Sequence, residues 1–409
     1  MIDTKKIRKD FPMFLNNKVM QNNNFVYLDN ASTTFKPKTV IDAINLYYEK
    51  DCVNASRGDY DVAYRVDRTV ENVREKIANF LNCKPKEIIF TSGSSMSLNL
   101  IAYGYGFKFL KEGDEIVLTE AEHASNVLPW FKIAELTKAK IVYAPLDKDG
   151  KLEPSSIEEV ITGRTKIVSI AQITNVLGYK VNVKEIAKIC HERDIILVVD
   201  GAQSVPHIKV DVKDLDCDFL IFSAHKMCGP TGLGIIYGKF NLLAKMDPLL
   251  TGGGNNARFD MCGNVALLEP PYKFEAGTQN ISAIYGFGAS IDYLNNIGME
   301  NIEKHELELR KYAISKLKKL SNIIIYNEKA DSGIITINVK DVFSQDEATY
   351  LNSKGICVRS GMHCAKLLTN YLGNTGTVRI SFYFYNNKED IDQLIDALKN
   401  GGNILDAYF

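Results

Sequence analysis

The sequence predicts an α/β protein built around a mainly parallel β-sheet and followed by a smaller α+β part. From about residue 25 to about residue 240, short apolar runs rich in β-branched residues alternate with longer helical stretches, which is the pattern of βαβ units. The chain has 409 residues, enough for two to three domains at roughly 150 residues each. From about residue 290 the pattern becomes that of a long, charged amphipathic helix, so we place a second domain there.

The composition is that of an ordinary globular protein and excludes several function classes. Forty-nine Lys and Arg residues against fifty Asp and Glu residues give a formal net charge of −1, so the chain has no global positive field for nucleic acid or anionic lipid. The eight cysteines include no CxxC pair and favour scattered reduced thiols, which is typical of a cytoplasmic protein. We predict no secretory leader, no membrane span and no metal site.

Each of five predicted strands ends in polar or ionisable side chains. The strands cover residues 87–90, 115–118, 166–171, 195–199 and 219–222, and the groups that follow them are Ser94 with Ser95, His123, Asn175, Asp200 with Gln203, and Ser223, His225 and Lys226. In open α/β sheets, ligands bind outside the carboxyl ends of the strands. We therefore expect the five strand ends to converge on one crevice.

The later elements are predicted from the same kinds of pattern. A glycine-rich loop at 229–234 leads to a short strand at 235–237. The glycine run at 252–257 follows no clear strand and is predicted to be a flexible loop. In the second domain, the predicted helices are 302–320, 347–354 and 388–398, and the strand-like runs are 334–339, 356–359 and 377–381.

Two of the strand-end residues together suit pyridoxal phosphate. Lys226 follows an apolar strand, and a lysine that is partly buried in this way has a depressed pKa that favours Schiff-base chemistry. Asp200, at another strand end, could keep the pyridinium nitrogen protonated so that the ring acts as an electron sink. His123 could stack on the flat ring. The helix start at Ser94 and Ser95 could bind the phosphate, although a plain N-cap explains these two serines as well.

A second reactive group lies near the C-terminus. Cys364 stands beside glycine and histidine in a predicted loop, and a thiol near an imidazolium or an arginine is a better nucleophile. A buried, inert cysteine is the alternative. Arg379 lies in an alternating strand, where its guanidinium could bind a carboxylate through two hydrogen bonds, with a surface salt bridge as the alternative.

Six motifs, in order along nearly the whole chain, resemble those of a known family. They occupy residues 28–34 (LDNASTT), 174–178 (TNVLG), 199–203 (VDGAQ), 223–226 (SAHK), 274–278 (FEAGT) and 359–365 (RSGMHCA). The chain resembles the class V aminotransferases and, within them, the SufS/CsdA type of cysteine desulfurase. The resemblance implies a homodimer of the PLP-dependent transferase fold type I, with a mainly parallel seven-stranded sheet. The large domain would cover residues 20–290, and residues 1–19 and 291–409 would form the small domain that carries the Cys364 loop.

The resemblance also implies an activity and a role for each site residue. Such an enzyme takes sulfur from L-cysteine, leaves L-alanine, and passes the sulfur as a persulfide on Cys364 to an acceptor protein of the SufE or SufU kind for iron–sulfur cluster assembly. Lys226 would hold pyridoxal 5′-phosphate and move the substrate's Cα proton. The other implied roles are pairing with the pyridinium by Asp200, a bond to the ring hydroxyl by Gln203, stacking and proton transfer by His123, phosphate binding by Ser94, Ser95, Ser223 and His225 with Thr278 from the other subunit, and substrate binding by Asn175, Arg359 and Arg379.

Several positions depart from the family pattern. Residues 255–257 (NNA) stand where relatives have Glu-Met-Ile, Met362 replaces a histidine, and residues 56–60 (SRGDY) differ from the usual His-Arg-Gly-Ile-His. These departures surround the site and the expected dimer interface. They keep two alternatives open: a selenocysteine lyase or another aminotransferase-family enzyme on the same fold, and a non-enzymatic scaffold that binds pyridoxal phosphate.

Overall fold

The central element of the structure is a seven-stranded sheet in which six strands point the same way. The structure is a computed structural model that describes residues 2–55 and 58–399, so the sequence departure at residue 56 lies outside the described residues. Across the sheet, the strand order is Ile88–Thr91, Gly234–Gly238, Phe219–Ser223, Ile196–Asp200, Thr165–Ala171, Glu115–Leu118 and Lys140–Tyr143. Gly234–Gly238 is antiparallel to both of its neighbours, and the other pairings of this sheet are parallel. The mainly parallel seven-stranded sheet is thus confirmed.

The sheet is buried on both faces. In the strand Phe219–Ser223, Leu220 and Phe222 belong to one apolar cluster, whereas Phe219 and Ile221 belong to another. This alternation follows from the geometry of a strand, which points successive side chains to opposite faces. Because both faces of the strand are apolar, the sheet forms the middle layer between two layers of helices.

Helices connect the strands and form these outer layers. In chain order they are Thr4–Ile7, Pro12–Asn16, Lys38–Lys50, Asp61–Leu81, Ser94–Ile101, Phe107–Phe109, Leu128–Thr137, Pro154–Val160, Val183–His191, Val212–Leu215, Phe240–Lys245 and Ile281–Ile297, with 3₁₀ turns at Arg8–Asp10, Pro85–Glu87, Ala124–Asn126, Ala224–Lys226 and Tyr272–Phe274. A π-helical stretch, Ala102–Gly106, follows Ser94–Ile101 directly. A side chain at Gly104 would overlap the Asp247 carbonyl oxygen, so this close contact requires glycine.

The C-terminal part contains a second, four-stranded antiparallel sheet. Its strand order is Ile323–Ile325, Ile334–Val339, Thr377–Ser381 and Arg359–Gly361. The helices of this part are Met299–Leu317, Ser344–Ser353, Lys366–Leu372 and Lys388–Lys399. A separate apolar cluster packs three of these helices against the sheet, for example through Leu309, Leu351 and Leu394. The division of the chain into domains at residue 290 stays a prediction.

Three short strand pairs complete the described fold. Val19–Met20 pairs with Asn23–Asn24, Val26–Tyr27 pairs in parallel with Ile356–Cys357, and Asn256–Phe259 pairs with Val265–Leu267. The prediction of a flexible loop at 252–257 is therefore wrong for its last two residues, which begin a hairpin. The hairpin strands are short and mostly exposed, so the sequence contains no apolar run from which they could be predicted.

The predicted elements of the C-terminal part are present with shifted ends. The long charged helix covers Met299–Leu317 rather than 302–320, and the helix predicted at 347–354 begins earlier, at Ser344. The run predicted at 356–359 is split between two sheets as Ile356–Cys357 and Arg359–Gly361. Among the described residues, no helix has the length and apolar character needed to cross a bilayer.

Candidate active site

The five predicted strand ends meet at one cavity of about 450 Å³. Eleven residues selected from the sequence line it: Ser94, Ser95, His123, Asn175, Asp200, Gln203, Ser223, His225, Lys226, Arg359 and Arg379. Cys364 is exposed at the rim of the cavity, since its neighbour His363 and its contact Arg359 both belong to the lining. Thr278 is exposed and does not line this cavity.

Lys226 is placed by a 3₁₀ turn, Ala224–Lys226, that directly follows the buried strand Phe219–Ser223. Burial lowers the pKa of Lys226 to about 8, with Arg379 and Arg359 acting in the same direction and Asp200 opposing them. Burial raises the pKa of Asp200, while the Ala202 N–H, 2.9 Å from its Oδ1, and the charge of Lys226 lower it. The cavity therefore holds an amine that is more easily deprotonated than a surface lysine, facing a carboxylate in the same lining.

His123 is a neutral histidine in the lining. The pKa of His123 is lowered to about 4, mainly by burial and to a smaller extent by the positive charge of Lys226. Its Nδ1 accepts a hydrogen bond of 3.1 Å from the Ser125 N–H, so the single ring proton must reside on Nε2. The Nε2–H group, which makes no hydrogen bond to the loop backbone, is therefore the hydrogen-bond donor of the ring.

One part of the cavity lining presents several donors at the start of a helix. The helix Ser94–Ile101 begins here, and the Ser223 hydroxyl lies 2.8 Å from the Ser94 nitrogen and 2.7 Å from its hydroxyl. Ser95 pairs with Ser125 at 2.6 Å between their hydroxyls. The glycine before this helix has a φ of +151°, and a side chain on the adjacent Gly234 would overlap it. Free N–H groups and hydroxyls at a helix N-terminus favour a phosphate.

The cavity lining also contains two arginines on neighbouring strands. Arg379 is buried, and its guanidinium donates to the Asn175 carbonyl at 3.0 Å, to Asp29 Oδ1 at 3.1 Å and to Ser32 Oγ at 2.9 Å. Arg359 pairs with Arg379 in the sheet register and also donates to Ser32, at 3.1 Å. The surface salt bridge considered for Arg379 is thus excluded. Two fixed cationic groups in the same lining favour a carboxylate.

The Cys364 thiol is held by an arginine and not by the neighbouring histidine. Its Sγ lies 3.3 Å from Arg359 Nη2, and its carbonyl accepts a 2.7 Å hydrogen bond from the Ala124 N–H. His363 instead directs Nε2 toward Thr377, 3.0 Å from the carbonyl and 2.9 Å from the hydroxyl. Burial lowers the pKa of His363 to about 3. The imidazolium considered beside the thiol is therefore absent at neutral pH, and Arg359 supplies the cation.

Several lining residues carry polar atoms without a partner. Within the described residues, Gln203 Oε1, Asn175 Oδ1, Arg379 Nε and His363 Nδ1 are buried and make no hydrogen bond. Buried polar atoms are nearly always paired in proteins, and an unpaired one costs about 1–3 kcal/mol. Together with the helix start and the two arginines, they indicate a polar ligand that carries anionic groups.

Sequence reasoning did not select several polar residues that line or support the cavity. Ser32, Ser92, Ser125 and Thr231 line the cavity, and Asp29 holds Arg379. Asp29 and Ser32 lie inside the motif 28–34, so a search for polar residues within that motif could have found them. Ser125 is two residues from His123, whereas Thr231 follows no strand end, and no sequence signal singles it out.

The chain matches a family model over most of its length. The model described as aminotransferase class-V matches residues 26–394. A probable cysteine desulfurase of Halalkalibacterium halodurans is 44% identical over 401 residues, which are 97% of this chain and 98% of the relative. A cysteine desulfurase of Wigglesworthia glossinidia brevipalpis is 39% identical over 396 residues, which are 96% of each protein.

Solved structures give a similar result. The crystal structure of the cysteine desulfurase CsdA from Escherichia coli has a TM-score of 0.91 and 34% sequence identity and covers 99% of both chains. The apo structure of a cysteine desulfurase from Thermococcus onnurineus has a TM-score of 0.92 and 37% identity and covers 98% of both chains.

Proposed function

This chain belongs to the class V aminotransferase family and groups within it with the cysteine desulfurases, and on this premise we propose that it takes sulfur from L-cysteine and leaves L-alanine. The observation that carries the proposal is the combination of two chemistries at one site. Lys226 and Asp200 line the cavity, and the exposed Cys364 thiol lies at its rim, 3.3 Å from Arg359. The first pair suits a pyridoxal cofactor, and the thiol suits a sulfur acceptor.

Pyridoxal 5′-phosphate is the cofactor that these residues fit. Its phosphate would suit the donors at Ser94, Ser95, Ser223 and His225. Its ring would be held by His123 and Asp200 of the same lining, with the unpartnered Gln203 as a further polar contact. Lys226 supplies the amine that would hold it. When bound, the cofactor supplies an electron sink that weakens the bonds at the substrate's Cα.

Two residues of the cavity can move protons at the substrate. With a pKa of about 8, Lys226 is partly neutral at physiological pH and can accept the Cα proton. His123 is neutral, with its proton on Nε2, and can donate it. Arg379, held by Asp29, Ser32 and the Asn175 carbonyl, would bind the substrate carboxylate and fix the orientation of Cα toward Lys226.

Cys364 is the sulfur acceptor within the chain. Its thiolate would attack the substrate sulfur, so that an Sγ–S bond forms while the substrate C–S bond breaks. The bonding electrons remain on the carbon side, which takes up a proton and leaves as alanine. The product on the protein is a persulfide on Cys364, held beside Arg359 at the exposed rim.

The proposal includes three kinds of partner or setting. A second copy of the chain would contribute Thr278, which is exposed and lies outside its own cavity. An acceptor protein of the SufE or SufU kind would take the sulfur from the exposed Cys364 for iron–sulfur cluster assembly. The cytoplasm is the expected compartment, because all eight cysteines are free thiols.

A visible spectrum of the purified protein followed by addition of L-cysteine tests the proposal. We expect an absorption band of bound pyridoxal phosphate, equal amounts of alanine and transferred sulfur, and a mass increase of one sulfur atom on the peptide that contains Cys364. Replacement of Cys364 by Ala should abolish persulfide formation and leave the band unchanged.

The matched control is Cys357→Ala, which removes a partly buried thiol from a nearby strand and should not affect sulfur transfer. Full desulfuration by the Cys364→Ala protein, or turnover of selenocysteine with none of cysteine, would overturn the proposal in favour of a lyase. Amino transfer to a keto acid would instead identify an aminotransferase.

A further inference from the structure

Glu122 is a buried carboxylate that the reaction described above does not use. It lies behind the cavity lining, next to His123 in the chain, and is 2% exposed. Thr119 Oγ1 donates to one of its oxygens at 2.9 Å, and Asn126 Nδ2 donates to the other at 2.8 Å. The backbone N–H of Ala171 is a further donor. The loop 119–126 and the strand Thr165–Ala171 thus meet at one carboxylate.

The contacts of Glu122 lead to the sheet beneath the cavity. Asn126 accepts a 2.6 Å hydrogen bond from the Ser169 hydroxyl, and both of these side chains are fully buried. Ala171 lines the cavity and is the register partner of Asp200 in the neighbouring strand. Burial raises the pKa of Glu122 to about 7, its three donors oppose this effect, and the charge of Asp200 adds to it. Glu122 therefore ties its loop to the strand that supports Asp200.

The loop that Glu122 anchors has two contacts with the reacting groups. The imidazole of His123 is part of the cavity lining, and the N–H of Ala124 donates to the Cys364 carbonyl at 2.7 Å. The loop therefore connects the wall of the cavity to the segment that carries the thiol. A displacement of the loop would move both groups together.

We propose that Glu122 is a positioning residue that holds His123 and the Cys364 segment in place against the strand Thr165–Ala171, which neighbours the Asp200 strand. It contacts neither substrate nor cofactor, and it acts through residues 123 and 124. The importance of this positioning for sulfur transfer rests on the proposed function, whereas the positioning itself does not. The chemical reason is that a carboxylate can accept from all three donors at once, which a side-chain amide in its place cannot do.

Glu122→Gln tests the proposal because it keeps the shape and replaces one acceptor by a donor. The new amide N–H then faces either Thr119 or the amide N–H₂ of Asn126. A buried donor that loses its acceptor costs about 1–3 kcal/mol, so amide hydrogen exchange at residues 119–126 should accelerate by about tenfold or more. We expect faster exchange at residues 360–366 as well, since Ala124 holds that segment.

The double variant Glu122→Gln with Asn126→Asp is the specific rescue. It moves the carboxylate one position along the same network, so that the new amide at position 122 donates to the new carboxylate at position 126, which still accepts from Ser169. Exchange in both segments should return to within about twofold of the wild-type rate. If Glu122→Gln does not fold, Ser169→Ala breaks the same network one step away and should produce a smaller acceleration in the same two segments.

Glu306→Gln is the matched control. Glu306 is also 2% exposed and makes a buried contact of 3.0 Å with His207, outside the loop. This variant should accelerate exchange around residues 207 and 306 and leave 119–126 and 360–366 unchanged. Equal acceleration of those two segments by both variants would reduce Glu122 to a general stabilising residue and overturn the proposal.

Kinetics separate this inference from the proposed function. In the holoenzyme, Glu122→Gln should lower kcat for alanine formation by about tenfold with KM changed less than about twofold, since misplaced reacting groups slow the chemical step. The rescue variant should recover most of kcat. Faster exchange without any cysteine desulfuration by the wild type would leave the positioning intact and refute the function. Unchanged exchange and kcat in an active enzyme would refute the positioning.

Discussion

Lys226 lies among groups with opposite effects on its charge. Burial and two arginines, Arg359 and Arg379, favour the neutral amine, whereas Asp200 favours the ammonium form. A shift of the pKa from 10.5 to about 8 increases the neutral fraction at pH 7 by about 300-fold. The same arginines that suit the substrate carboxylate therefore also help to make the lysine a base.

This environment predicts how Lys226 titrates. In cofactor-free protein that is reductively methylated with ¹³C-formaldehyde, the methyl resonance of Lys226 should shift with a midpoint near pH 8, while surface lysines titrate near 10.5. Replacing Arg359 by Gln removes one nearby positive charge and should raise the midpoint. Arg359→Lys keeps the charge and serves as the control. A midpoint near 10.5 in the wild type would contradict the described environment.

At the level of elements, the buried pair of Arg74 and Glu275 fastens a helix to the edge of the sheet. The guanidinium of Arg74, in the helix Asp61–Leu81, meets Glu275 through two hydrogen bonds of 2.8 and 2.9 Å. Glu275 also accepts from the Phe90 N–H at 2.8 Å, and Arg74 donates to the Ile88 carbonyl at 2.9 Å. The pair thus joins the helix, the edge strand and the loop that leads to Thr278.

Removing one partner of this pair should be costly. We expect Glu275→Gln to lower the free energy of unfolding by about 3 kcal/mol, because the buried charge of Arg74 loses its main partner. The control is Glu71→Gln, since Glu71 contacts the same arginine at 3.2 Å but is 41% exposed, and its loss should cost less than about 1 kcal/mol. Urea denaturation measures both values. Equal losses of unfolding free energy in the two variants would show that burial does not determine how strongly a carboxylate interacts with Arg74.

The strands that deliver Asp200 and Lys226 were predictable because each is a continuous apolar run that ends in a polar residue, which is a local signal. The neutral state of His363 was not predictable, since it depends on Thr377 and on burial in the folded protein. The support of Arg379 by Asp29 spans 350 residues and likewise leaves no local trace. Local patterns therefore identified which residues line the cavity but not which groups hold them in place.

At the level of the whole molecule, we propose that Thr278 completes the site of a second chain. It lies on a loop anchored by Glu275 and is exposed, away from the cavity of its own chain. If it reaches the cavity of a second copy, two different inactive variants can form a mixed dimer that has one complete site. This arrangement makes a prediction that does not depend on knowing the shape of the dimer.

Mixing Lys226→Ala protein with Thr278→Val protein tests this arrangement. In a mixed dimer, the chain that keeps Lys226 receives an intact Thr278 from its partner, so one of the two sites is complete. After unfolding and refolding together, the mixture should regain desulfurase activity above the sum of the separate variants. Two Lys226→Ala preparations treated in the same way provide the control. No gain in a mixture shown to contain mixed dimers would assign Thr278 to its own chain.

The pairing of distant segments also affects the order in which the protein can fold during translation. The strand Val26–Tyr27 pairs with Ile356–Cys357, so this pairing can form only after most of the chain has been translated. Asp29 likewise meets Arg379 only after nearly the whole chain has emerged. Asp200, by contrast, ends a strand, and Lys226 lies in the turn after the adjacent strand, so the two can come together much earlier. The amine and its carboxylate can therefore come together on a nascent chain before Arg379, which suits the substrate carboxylate, has been translated.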